Sequence, residues 1–112
     1  MLSSGRGTGQ IMHVINRPAL RAFAARHPDA EAWLEEWWVR AKSARWHNLA
    51  EVRQAYSTAD QVDRCLVFDK GNRYRLIVRV SYTSVHTRGT LFVRHFLTHA
   101  EYNKNPWKKC CK

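Results

Sequence analysis

The chain has 112 residues, 45% hydrophobic and 12% aromatic, which excludes a disordered polypeptide and allows one domain around one modest core. Nineteen Lys and Arg against nine Asp and Glu leave a formal charge of +10, a balance that favours a polyanion, nucleic acid before an anionic membrane or an acidic protein. No apolar run approaches the ~20 residues needed to span a bilayer, and MLSSGRGTGQI lacks the apolar stretch of a secretory signal.

Residues 1–11 read as a Gly/Ser-rich lead-in, and a β-like stretch, MHVIN, opens the domain at 12–16. Asn16 is a candidate helix cap with Pro18 in the first turn, where the missing N–H is harmless; Leu20, Phe23 and Ala24 follow helical spacing and Pro28 closes the segment. Asp29 is a candidate cap for a second helix over 30–44. Leu34, Trp38 and Ala41 would line its buried stripe, with Trp33 and Trp37 beside them. A third helix over 48–56 would turn Leu49, Val52 and Tyr56 inward.

From residue 64 the period changes. RCLVFD at 64–69 reads as an apolar strand, and DKGN at 69–72 as a turn in which Gly71 takes positive φ. NRYRLIVRVSY at 72–82 alternates, with Tyr74, Leu76, Val78, Val80 and Tyr82 on one face and Arg73, Arg75 and Arg79 on the other. After SVHTRG, the stretch TLFVRHFLT at 90–98 is apolar on both faces apart from Arg94 and His95, which suits an interior strand. The domain would span 12–107, with a basic tail at 108–112.

Like charge crowded on one strand face is relieved when phosphates bind, and guanidinium groups match phosphate oxygens bidentately. Lys70 and Arg94 would extend that patch; a solvated sheet face accounts for the same spacing. His99, Glu101, Tyr102 and Lys104 follow the last strand. Cleavage of RNA through the 2′-hydroxyl needs a base, an acid and cations around the phosphate, which this set with the arginines would supply without a metal or cofactor; a polar surface tail accounts for the same residues. His95 and His99 are four apart, but on a strand that does not make a ligand pair. Cys65, Cys110 and Cys111 give no disulfide framework; the adjacent pair in the basic tail reads as free thiols, and a reducing cytoplasm fits.

GNRYRLIVRVSY followed by VRHFLTHAEYNK resembles the HigB toxin family of type II toxin–antitoxin systems, and MHVINRPALRAFAARHPDAEAWLEEWW is similar to that family's N-terminal pattern. The resemblance covers residues 12–107. It implies a RelE-like α+β fold, with an N-terminal strand and two to three helices packed on one face of a mainly antiparallel four-stranded sheet. It also implies a ribosome-dependent mRNA endonuclease that cuts message in the A site. Its partners would be the ribosome, the message and a HigA-type helix-turn-helix antitoxin, with operator DNA bound only through the antitoxin complex. Asn72 and Arg75 fall on the first motif; Arg94, Thr98, His99, Glu101 and Tyr102 fall on the second, where Asn103 replaces the usual Asp. Combined with the residue chemistry, this makes Arg75 and Arg94 candidates for phosphate stabilisation and His99 for proton transfer, helped by Tyr102 or Lys104. Lys70, Asn72, Arg73 and Arg79 would bind RNA. An occupancy-only RNA- or ribosome-binding module is the alternative. A DNA-binding protein is disfavoured, because the helices read as core-facing with no clear helix-turn-helix.

Overall fold

β1 (His13–Ile15) is too short to hold by itself and is stitched in at both ends. The Met12 N–H donates to Ala44 O at 2.8 Å and His13 N–H to Gly89 O at 3.1 Å. The computed structural model describes residues 11–104 and 106–111, so the lead-in at 1–10 lies outside them. α1 (Arg17–Arg26), a 3-10 turn at Pro28–Ala30, α2 (Glu31–Lys42) and α3 (Leu49–Ala55) follow. Then come β2 (Asp60–Val62), β3 (Cys65–Lys70), β4 (Tyr74–Ser81), β5 (Thr90–Thr98), α4 (His99–Asn103) and a 3-10 helix at Pro106–Cys111.

The strands form one five-stranded sheet in the order β1-β5-β4-β3-β2, antiparallel except for the parallel β1–β5 pair. This is the expected α+β architecture with one more strand. β2 escaped the sequence reading because it is three residues long and carries Asp60 and Gln61; edge pairing to β3, not apolar alternation, makes it a strand.

α1, α2 and α3 pack on one sheet face through Leu20, Phe23, Leu34, Trp37, Ala41 and Val52, against Val14, Phe68, Leu76, Val78, Leu91, Val93 and Phe96. Two cap assignments are corrected. Asn16 sits at φ 84° without capping α1, and its Nδ2 donates to Val93 O at 3.2 Å. Asp29 lies in the 3-10 turn and accepts from the Tyr74 hydroxyl, while Ala30 precedes α2. On α2 the buried stripe runs through Trp37, not Trp38. Trp38 stays half-buried under the Arg17 guanidinium, 4.7 Å from its ring, and Arg17 also pairs with Glu35 across the two helices.

β5 explains why its sequence looked apolar on both faces. Ile77 pairs with His95, but Val78 pairs with Val93, so Arg94 is an extra residue in a bulge. The bulge resets the alternation: Leu91, Val93 and Phe96 all reach the helical core, and His95 moves to the opposite face. Gly71 takes φ 55° as expected, and Gly89 takes φ 81° where a Cβ would lie 2.7 Å from Ser81 O.

Candidate functional site

The sheet face opposite the helices carries a second, smaller apolar cluster of Cys65, Val67, Ile77 and Trp107, with Val62, Leu97 and Tyr102 against it. The chain after β5 therefore folds back over β3 and β4. Trp107 is 3% exposed, its Nε1 donates to Tyr102 O at 2.9 Å, and its ring stacks on Tyr102 at 4.9 Å. Cys65, beneath this cover, is fully buried and disulfide-bonded, which corrects the expectation that the cysteines form no disulfide. The side chains of Cys110 and Cys111 lie outside the described residues.

α4 starts by a reciprocal cap. The Glu101 N–H donates to Thr98 Oγ1 at 3.3 Å and the Thr98 N–H to Glu101 Oε1 at 2.9 Å. Thr98-x-x-Glu101 is a capping-box pattern legible in the sequence, and it gives these two residues a structural task. The cap fixes His99 at the first helical position, exposed, with its N–H on Arg73 O at 3.2 Å. One turn on, Asn103 Nδ2 lies 3.4 Å from His99 Nε2, so the residue that departs from the family pattern touches the candidate proton-transfer group. Lys104 is exposed at the C-cap of the same helix.

Tyr102 is half-buried under Arg75, whose guanidinium carbon is 5.7 Å from the ring centroid. Burial, and then the Asp60 charge, raise the Tyr102 hydroxyl pKa, with Arg75 opposing. At neutral pH it is a proton donor, not a base. Arg75 binds Asp69 Oδ1 through Nε at 3.0 Å, and its Nη1 donates to Gly71 O and Tyr74 O.

Arg73 is not on the arginine-bearing face. It precedes β4, and its Nη1 reaches Asp29 Oδ2 at 3.3 Å. Asp29 is held below the ordinary carboxylate range chiefly by the Tyr74 hydroxyl, with Arg73 and Lys70 adding their charge. Lys70, paired with Tyr74 across the strands, thus belongs to this turn-end group, and Asn72 is exposed in the turn between them. Through Arg73 O the group is joined to the start of α4.

Arg79 and Arg94 form a third group, farther along the sheet. Arg79 pairs with Phe92 across β4 and β5, and the Arg94 guanidinium lies 5.0 Å from the Phe92 ring centroid. At a strand rise of ~3.3 Å per residue, Arg94 is roughly 16 Å from His99 along the chain. The structure therefore joins Arg75 to Tyr102 and Arg73 to His99, and sets Arg79 and Arg94 apart from them. His95, missed as a site residue, shares the open face; burial and then the neighbouring Arg94 lower its pKa, which favours a neutral imidazole. The bulge that places it there has no signal in the apolar pattern. Among the described residues no group of three His, Cys, Asp or Glu side chains could hold a metal ion, and no helix is long and apolar enough to cross a membrane.

The capping box gives a pH prediction. The Thr98 N–H holds Glu101 below its ordinary value of 4.5, so the cap stabilises α4 above that pH and loses this contribution as pH falls through the lowered folded value. Protection of the Thr98 and Glu101 amides against exchange, relative to the unfolded chain at the same pH, should fall on acidification below 4.5, ahead of that of the β4 amides. Thr98→Ala should cost about 1 kcal/mol and produce the same fraying at neutral pH.

A family model described as HigB_toxin, the RelE-like toxic component of a toxin–antitoxin system, matches residues 30–105. No curated protein sequence matches the chain significantly.

Proposed function

The chain belongs to the HigB toxin family, the RelE-like toxic components of toxin–antitoxin systems, and on that premise we propose that it cuts messenger RNA on the translating ribosome through the RNA's own 2′-hydroxyl. The observation that carries this reading is the seating of exposed His99 at the end of a basic sheet face. Its backbone is fixed by Arg73, its ring is touched by Asn103, and Arg75 of β4 lies over Tyr102 on the same short helix as His99.

His99 takes the 2′-hydroxyl proton as the 2′-oxygen attacks phosphorus, and the 5′-oxygen leaves with a proton from Tyr102. His99 and Tyr102 are three apart on α4, which makes them neighbours on its surface. Arg75 stabilises the charge of the pentacoordinate phosphate, and Lys104 adds a cation. Lys70, Asn72 and Arg73 hold the RNA backbone at the turn end. Arg79 and Arg94 bind the strand farther away, because the distance from His99 removes Arg94 from the reacting phosphate. The site is cytoplasmic, where ribosomes are. Reducing conditions there would open the Cys65 disulfide.

A toxic component implies an antitoxin, and we assign it to the HigA-type helix-turn-helix class, through which the pair would reach operator DNA. Expression of the chain alone should arrest growth, with loss of message as the earliest change. The occupancy reading has an observation of its own, the amide at 103 in place of a carboxylate; it predicts arrest with messages intact.

Asn103 also gives a direct prediction. A carboxylate 3.4 Å from His99 Nε2 would favour the imidazolium, whereas the amide donates to the ring nitrogen. Asn103→Asp should therefore move the acidic limb of the pH–rate profile for cleavage to higher pH. An unchanged limb would mean that this contact does not tune the base.

A further inference from the structure

The chain contains 4 Phe, 5 Trp and 4 Tyr, and all but one of these rings belong to one of the two apolar clusters. Phe92 belongs to neither. It lies half-buried on the open sheet face, paired with Arg79 on β4 and with Ile15 on β1. Arg94, the bulge residue, lays its guanidinium over the ring at 5.0 Å. A shallow cleft of about 190 Å³ opens beside it, lined by Arg79, Val80, Ser81, Thr90 and Phe92. An aromatic ring that carries a flat guanidinium, with a second arginine across the strand pair, is the chemistry that holds an unpaired base and its phosphate. A chain of charge +10, with two arginines at this cleft, favours an anionic occupant.

We propose that Phe92 and Arg94 form a stacking subsite for one unpaired base of single-stranded RNA, with Arg79 on the adjoining phosphate. The subsite rests on the reading of this face as an RNA-cutting surface and adds a base contact to it. Phe92 is seven residues before His99, so the stacked base lies roughly 20 Å from the reacting phosphate. It is a nucleotide flanking the cut, and the subsite would set sequence context, not chemistry.

The test uses the full chain and a single-stranded oligoribonucleotide with 2′-O-methyl sugars, which cannot be cleaved by the 2′-hydroxyl route, in versions carrying one abasic position moved along the strand. For the wild type, one abasic position should weaken binding roughly 5- to 100-fold, the range for loss of one stacked base. Phe92→Leu should weaken the intact strand by a similar factor and lose sensitivity to that position. Phe92→Tyr should behave as wild type, and a melting curve on each variant separates binding from folding. Equal losses on intact and abasic strands, or none, would overturn the proposal. His99→Ala should keep the abasic effect. Coupling without message cleavage would sink the nuclease reading alone, and cleavage without coupling would sink the subsite alone.

Discussion

Replacing His99 with alanine should lower message cleavage by about 100- to 10,000-fold, the usual worth of a positioned acid–base group. Growth arrest should disappear with it. The fold should be untouched, because the imidazole is exposed and its described contact is the 3.4 Å approach of Asn103. The backbone bond from His99 N to Arg73 O survives the substitution, so α4 keeps its start. Arg75→Ala should also lose activity, but less cleanly: it strips Asp69 of its ion pair and Tyr102 of its overlying cation. A loss in Arg75→Ala with none in His99→Ala would move the chemistry off α4, and His95 would be the next histidine to examine, since it shares the open face in a neutral-favouring setting.

Phe96→Ala should be among the most destabilising single changes, about 3–5 kcal/mol from lost burial and a cavity. Against a typical total of about 5–15 kcal/mol, that removes a large share of the stability. Phe96 is 3% exposed and stacks on Tyr74 at 4.9 Å, Phe23 at 5.8 Å and Trp33 at 6.3 Å, with the His27 ring at 5.7 Å. It thus joins α1, α2 and β4 to the end of β5. The consequence extends to the site, because Tyr74 holds Asp29, Asp29 holds Arg73, and Arg73 O holds His99. Denaturant titration checks this: a fall below ~1 kcal/mol would show that the ring cluster is not what ties the helices to the sheet.

Much of this architecture was legible in the chain. The clean alternation of Tyr74, Leu76 and Val78 names the core face of β4, and DKGN names the turn before it. What escaped was set by tertiary geometry. Only the register reveals that Arg94 is bulged, and the bulge decides that Phe96 is core and His95 is not. The face of α2 is chosen by the sheet it meets, which buries Trp37 and leaves Trp38 to Arg17. Arg73 looked like a third member of the arginine row because parity was counted through a residue that precedes the strand. Thr98-x-x-Glu101, by contrast, was readable and overlooked: the motif that resembled a catalytic cluster is in part a helix cap, and the cap is what presents His99.

The measurement closest to the central claim is the chemistry of the cut ends in a purified translation system. Wild-type protein added to translating ribosomes should produce message fragments with 5′-hydroxyl and 2′,3′-cyclic phosphate ends, and His99→Ala should produce them at least about 100-fold more slowly. Intact messages with translation halted, or fragments with 5′-phosphate ends, would contradict cleavage through the 2′-hydroxyl.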